Sequence, residues 1–476
     1  MTSKKPFYIT TTLPYVNSKP HIGFALEVVR ADTVARYKRL QNFDVFFNTG
    51  TDEHGVKIHQ RAEEEGIDTQ AFVDGNAEHF KSLKETLNLS YDKFIRTTDE
   101  DHKKAAQEFW KLCDKNGYIY KKKYKGLYCK GCEMFITDKD LVDEYCPHHP
   151  GTKPEEVEEE NYFFKYSEFG KELLSRYESD EIKVVPEFRL NELTSLIEQG
   201  LEDFSISRLK DKMPWGVSVP GDDEHVMYVW FDALVNYIST LGWPEGDFEK
   251  YWVGGTPVQY CGKDNVIHQA SRWQAMLLSV GLPTTNTVIV NGFVTSDGVK
   301  MSKSIGNVIN PVDIVNEYGT DAMRYYLIRE IHPYEDSGFT TSRFKEAYNA
   351  NLANGIGNLT NRILKMSEDN LDGVEVKDVP FPSEYTKAFD EFNLQKVGDF
   401  VWKKIGDLDQ KIQDEEPFKV IKEDEEKGKE IIKGLVQGLY EVALLLEPIL
   451  PETSLKIRAG IKENKKPEVP LFFRKD

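Results

Sequence analysis

The sequence predicts an α/β fold built on a parallel sheet and followed by a helical region, and three observations carry that expectation. Strand-like and helix-like segments alternate from the N-terminus. Between about Asn116 and Gly221 the alternation gives way to short strands around a cysteine cluster, which reads as an inserted module. Beyond about residue 340 apolar positions recur at helical spacing to the end of the chain.

FYITTTL (7–13) is rich in aromatic and β-branched residues and predicts a strand. After the turn-forming Pro14 and Asn17, the residues Ile22, Leu26, Val29, Thr33, Tyr37 and Leu40 recur in steps of three and four and predict a helix. DVFFNT (44–49) predicts a second buried strand, and GTDEHG (50–55) a loop entering another helix. In such a sheet, ligands sit beyond the carboxyl ends of the strands. PYVNSKPHIG, GTDEHG and YCGKD (260–264) all fall at such ends. The α/β pattern resumes with HVMYVWFDAL (225–234), PVQYC (257–261) and TVIVNGFV (287–294), before the long loop TSDGVKMSKSIGN (295–307). Helical tracts follow at 343–368, 385–413 and 427–448; GIG (355–357) lies inside the first of them and so is no dinucleotide fingerprint.

With 476 residues, 39% of them hydrophobic and 12% aromatic, the chain has the make-up of a globular protein with a sizeable core, not of a disordered or fibrous one. No apolar run approaches a membrane span, and MTSKKPFYITTT carries no secretory pattern, so a cytoplasmic protein is expected. The net charge of −19 repels polyanions at long range, so any nucleic-acid contact must be local and geometric. Three of the five cysteines cluster: Cys129-x-x-Cys132, then Cys146 with His149 three residues on. Three thiolates and an imidazole at this spacing suit one tetrahedral zinc ion, structural because protein fills all four positions. His148 competes with His149 for the fourth.

Two motifs point to nucleotide chemistry. His21 at a strand-to-helix junction can reach phosphate through its ring N–H, and Gly23 lets backbone and nucleotide approach closely. Lys300 and Lys303 in KMSKS form a cationic clamp for charge developing on a departing pyrophosphate. The pair resembles that of class I aminoacyl-tRNA synthetases. TTLPYVNSKPHIG, FFNTGTDEHG, SISR, PWG, YVWFDALVNY, GKDN, NGFVTSDGVKMSKSIGNVI and DAMRYYLIREI resemble the methionyl-tRNA synthetase family in order and spacing, from about residue 7 to at least 365.

The resemblance implies a Rossmann-type catalytic domain in two halves (1–115 and 222–340), a connective insertion with one zinc knuckle (116–221), and an α-helical bundle for the anticodon (341–476). It implies ATP- and Mg2+-dependent activation of methionine and its transfer to tRNA(Met), with His21, Gly23, Glu27, Gly262, Asp264, Lys300 and Lys303 on ATP. His21 and the two lysines would be catalytic. Leu13, Tyr15, Asp52, Trp230, Ala233, Leu234, Tyr237, Asn265 and Gln269 would form the methionine site, with Asp52 on the ammonium. Asn358, Arg362 and Phe418 would read the anticodon, and the family's spacing favours His149 as the fourth zinc ligand. A monomer is expected, because no C-terminal dimerising module follows residue 476.

Three positions depart from the family pattern. Phe24 replaces a polar residue and cannot donate a hydrogen bond to ATP, a loss of ~1–3 kcal/mol at the transition state. Gln269, preceded by His268, stands where many members have histidine, and Phe418 where they often have tryptophan. An RNA-binding or regulatory paralogue with impaired adenylation is the second reading. Against it stand Asp52, Trp230, both lysines and the complete zinc set. A cysteinyl or leucyl enzyme is the third, and Leu13, Tyr15 and Trp230 favour methionine over it.

Overall fold

The computed structural model describes residues 4–129, 134–136, 141–142, 144–147, 153–296, 299–300 and 308–476, with backbone alone at Tyr124, Met134, Phe135, Val299 and Lys300. In chain order its strands are β1 (Pro6–Thr10), β2 (Asp44–Thr51), β3 (Lys93–Arg96), β4 (Ile119–Cys129), β5 (Met134–Ile136), β6 (Glu155–Phe164), β7 (Lys183–Val185), β8 (Phe204–Ser205), β9 (Ser207–Leu209), β10 (Ser218–Val219), β11 (Asp222–Met227), β12 (Pro257–Gly262), β13 (Thr287–Asn291), β14 (Val294–Ser296), β15 (Val299–Lys300) and β16 (Ser337–Phe339). Two compact units emerge: Met1–Lys19, Phe46–Ser82 and Tyr91–Val290 form the first, and Pro20–Val45, Leu83–Ser90 and Asn291–Asp476 the second.

The first unit holds a six-stranded sheet in the order β3-β2-β1-β12-β13-β7. Parallel registers pair Tyr8 with Pro257, Asn48 with Lys93 and Thr287 with Lys183. TVIVN is buried at every position, as a strand covered on both faces must be. Strand order reverses between β1 and β12, and that switch point is where an open α/β sheet leaves a crevice for a ligand. Gly50 stands opposite Ile95, and a Cβ there would lie 1.9 Å from the Ile95 carbonyl oxygen, so only glycine permits this approach of β2 to β3.

The 116–221 segment carries the antiparallel sheet β5-β4-β6-β8, and it is also woven into the main sheet through β7 at its edge. One core joins the two: Ile119, Phe164 and Leu173 pack in the same cluster as Phe109, Trp273 and Val288. The helix Glu100–Lys115 supplies Phe109 and Trp110 to this core; acids fill its first turn and Lys115 its last, matching the helix dipole. Residues 225–234 divide between β11, in the antiparallel sheet β10-β11-β9, and the helix Val229–Leu234.

In the second unit the helix Ile22–Leu40 runs as its periodicity predicts, but burial reaches beyond the apolar stripe to Arg30 and Asp32. Arg30 donates to the carbonyls of Pro333, Ile331 and His332 and to Asn291 Oδ1. Asp32 meets Arg324 at 2.8 Å and Arg36 at 2.7 Å, and accepts from the backbone and hydroxyl of Ser90. Burial alone would raise the Asp32 carboxyl; the charges of Arg324 and Arg36 overcome it and hold the group below the usual carboxylate range. The helix Glu425–Leu446 packs against the helices Leu394–Glu415, Asn358–Asn370 and Pro451–Glu463. Side-chain caps from Asn393 and Asp424 start the two long helices. No helix among the described residues is long and apolar enough to cross a membrane.

Arg324→Met takes from buried Asp32 one of its two cationic partners and leaves Arg36 as the other, so a loss of about 3 kcal/mol, the low end for a broken buried pair, is expected at pH 7, read from urea midpoints. The stability that a depressed Asp32 contributes is present above the ordinary carboxylate range and vanishes as pH falls through its lowered value. The gap between parent and variant should therefore narrow in acid.

Candidate active site

The first unit gathers most of the predicted amino-acid pocket at the switch point. Leaving β1, the chain runs through Thr12, Leu13 and Tyr15; leaving β2, it reaches Asp52. A parallel bridge joins Tyr15 to Asp52, with Asp52 N–H donating to Pro14 O (3.0 Å) and Val16 N–H to Asp52 O (3.2 Å). Tyr15 and Trp230 pack in one small cluster with Tyr128, Tyr228 and Val229. Trp230 stacks on His268, with ring centroids 3.8 Å apart and planes 7° from parallel. Gln269 Nε2 donates to Thr12 Oγ1 at 2.7 Å. Leu13, Tyr15, Asp52, Trp230, Ala233 and Gln269 thus come from strand ends and helix starts on either side of the sheet's reversal. Leu234 and Tyr237 belong to the main core, where Tyr237 O accepts from Tyr8 and its ring tilts against Trp273.

After β12, Gly262 leads into a single tight turn, Lys263–Asn265, where Asn265 contacts Asp264 at 3.4 Å and the Asp264 side chain is exposed. The guanidinium of Arg272 donates to His268 Nδ1 at 3.3 Å; because arginine only donates, the ring proton of His268 sits on Nε2. Burial and then the Arg272 charge push His268 well below the ordinary histidine range, so the ring stays neutral. Among the described residues, Trp230 Nε1 and Gln269 Oε1 are buried without hydrogen-bond partners. A donor on Trp230 and an acceptor on the residue next to its stacking partner His268, both left so, suit a polar ligand that satisfies them.

The loop that presents Asp52 is held along its length. Glu53, fully buried, takes a bidentate pair from Arg96 at 2.6 and 2.8 Å and a hydrogen bond from Thr51. Trp215 Nε1 donates to Glu53 O at 2.6 Å, and Gly55 N–H to Trp215 O at 3.2 Å. His54 Nδ1 lies 3.0 Å from Asp232 Oδ2, both side chains buried. Residue patterns assigned Glu53, His54, Arg96, Trp215 and Asp232 no role. The signal for Glu53 and His54 is that TDEHG crowds three ionisable side chains onto a strand end; Trp215 and Asp232 stand in PWG and YVWFDALVNY, and Arg96 in none of these motifs.

In the second unit, His21 caps the helix Ile22–Leu40: its Nδ1 accepts from Gly23 N–H at 3.0 Å, which leaves the ring proton on Nε2. A Cβ on Gly23 would stand 2.8 Å from His21 Cε1. Glycine therefore clears space for the histidine ring itself, a reason additional to nucleotide approach. Phe24 and Glu27 follow in the same helix, and Glu27 is buried. Ile22 N–H donates to Ile309 O at 3.0 Å, tying this helix start to the chain just after the lysine loop. Lys303 and the side chain of Lys300 lie outside the described residues.

Of the expected zinc ligands, Cys129 and Cys146 are buried together with Ile136 in one small cluster, at 0% and 1% exposure. Cys132, His149 and the competing His148 lie outside the described residues, and among the described ones no group of three or more ligand side chains converges. Two thiols converging from separate segments fit the donor chemistry of zinc. Cys113 is different: burial pushes its thiol up to about 12, it packs in the main core, and its Sγ lies 3.2 Å from the Ser279 hydroxyl. In the helical region Asn358 opens the helix Asn358–Asn370 and is exposed, Arg362 one turn on pairs with Asp409, and Phe418 is 47% exposed near the start of Pro417–Glu423.

The family model described as tRNA synthetases class I (M) matches residues 7–153 and 149–364. A methionine--tRNA ligase of Thermotoga maritima is 40% identical over 488 aligned positions, covering 97% of this chain and 76% of that protein. The enzyme of the same name from Mycobacterium leprae is 38% identical, covering 95% and 88%. The structure of Mycobacterium tuberculosis methionyl-tRNA synthetase in complex with methionyl-adenylate superposes with a TM-score of 0.88 at 36% identity, over 95% of this chain and 93% of that one. With its parallel sheet, its helical C-terminal region and these matches along most of its length, the chain belongs to the methionine-type class I tRNA synthetases.

Proposed function

We propose that the chain is a methionine–tRNA ligase that activates methionine with ATP and passes it to the 3′ end of tRNA(Met). The observation that carries this reading is the convergence of Tyr15, Asp52, Trp230, His268 and Gln269 at the switch point, in a chain of this family. Asp52 pairs with the substrate ammonium, and Leu13, Tyr15, Trp230, Ala233, Leu234 and Tyr237 enclose the thioether side chain, with Asn265 and Gln269 at its polar edge. Gly262 and Asp264, Asp264 on the ribose, and His21, Gly23 and Glu27 hold ATP.

Chemistry follows from that arrangement. A methionine carboxylate oxygen attacks the α-phosphorus, the bond to the bridging oxygen of the β-phosphate breaks, and pyrophosphate leaves with the electron pair. Charge grows on the phosphate oxygens, where the His21 Nε2–H and the ammonium groups of Lys300 and Lys303 stabilise it. Magnesium accompanies ATP and neutralises part of the same charge. A terminal tRNA hydroxyl then attacks the acyl carbon and AMP departs. Asn358, Arg362 and Phe418 read the anticodon, Phe418 by stacking on a base. The ligase would work in the cytoplasm as a monomer, and Cys129, Cys132, Cys146 and His149 would hold one zinc ion of structural role.

Purified protein should catalyse methionine-dependent ATP–pyrophosphate exchange, and Phe24→His should raise the rate by no more than about a hundredfold, the upper worth of one added hydrogen bond of ~1–3 kcal/mol. No exchange in the parent with recovery in Phe24→His would move the RNA-binding paralogue to first place. Metal analysis should find one zinc per chain, lost in Cys129→Ser and Cys146→Ser; a metal-free parent would remove the zinc assignment.

A further inference from the structure

We propose that His54 and Asp232 form a positioning pair that locks the carboxylate of Asp52 to the wall of the methionine pocket. Amino-acid affinity then depends on a bond neither of whose partners touches substrate. The inference rests on the ligase reading above.

Three features of the fold support it. The bond joins two separate parts of the pocket: His54 lies two residues after Asp52, and Asp232 lies two residues after Trp230 and directly before Ala233 and Leu234. One side-chain contact therefore fixes the strand-end loop against the helix Val229–Leu234. It is also dry, since His54 is 2% exposed and Asp232 fully buried, so water cannot replace a lost partner. Finally, it is the one side-chain hydrogen bond that Asp232 makes among the described residues; its other oxygen, Oδ1, is buried without a partner. Other contacts hold the residues on either side. Arg96 and Trp215 hold Glu53, Trp215 holds Gly55, and the Tyr15 bridge orders the Asp52 backbone. The His54–Asp232 bond ties the loop to the helix that carries Trp230.

Such a pair should act on methionine and spare ATP. The full-length protein is assayed by ATP–pyrophosphate exchange as Asp232→Leu, which cannot accept a hydrogen bond, and as Asp232→Asn, whose amide oxygen still can. Asp232→Leu should raise KM for methionine about tenfold or more, the size of a lost charge-assisted bond, with KM for ATP within about twofold. Asp232→Asn should stay within about threefold of the parent for methionine. The decisive test is coupling: in an Asp52→Asn background, Asp232→Leu should add less than about twofold, because both changes spoil the same contact.

Additive effects, or an equal rise in KM for ATP, would overturn the proposal. If circular dichroism shows Asp232→Leu unfolded, His54→Phe, which keeps an aromatic ring beside Trp215, carries the same expectations. Failure of both to fold would overturn it too, making the pair a folding element. A parent inert in exchange would sink the ligase reading alone; methionine titration calorimetry on parent and variants then decides the role of the pair.

Discussion

Asp52, Glu53 and His54 follow one another at the end of β2, and all three are buried. Burying three ionisable side chains in a row is the constraint on which the first unit depends, because each must find partners that replace water. The partners come from far along the chain: Arg96 is 43 positions from Glu53, Trp215 is 162 positions from it, and Asp232 is 178 positions from His54. Satisfying this loop therefore brings β3, the segment before β10 and the helix after β11 to one strand end. The same demand brings Trp230 to this strand end, since the helix that answers His54 also presents it.

The second unit meets a similar demand differently. Its helix Ile22–Leu40 buries Arg30 and Asp32, and the answering groups are Arg324 and the carbonyls of Ile331, His332 and Pro333. Arg324 also donates to the carbonyls of Ile449, Leu87 and Pro448. One guanidinium thus joins the helix that begins at His21 to the C-terminal helices within this unit. Removing it would leave unpaired acceptors and take from Asp32 one of its two cationic partners.

The departures from the family pattern acquire physical meaning in the structure. His268 and Gln269 both have defined contacts: one stacks on Trp230 with its tautomer set by Arg272, and the other donates to the Thr12 hydroxyl. Phe24 sits in the first turn of a helix whose cap, His21, is set by a hydrogen bond to Gly23.

Much was legible in the sequence by itself. The parallel α/β plan, the helix over 22–40, the helical C-terminal region and the junction at His21 and Gly23 are written in periodicity and short-range motif chemistry. Such signals survive in one dimension because their partners lie three or four residues away, or alternate along a strand. The tertiary structure alone decided that β7 joins the edge of the main sheet, that Tyr15 bridges Asp52, that His54 meets Asp232, and that Arg324 meets Asp32. These contacts link residues remote in sequence, and their strength comes from which charges lose their water. A sequence displays the charges, but only the packed chain determines which of them are dry.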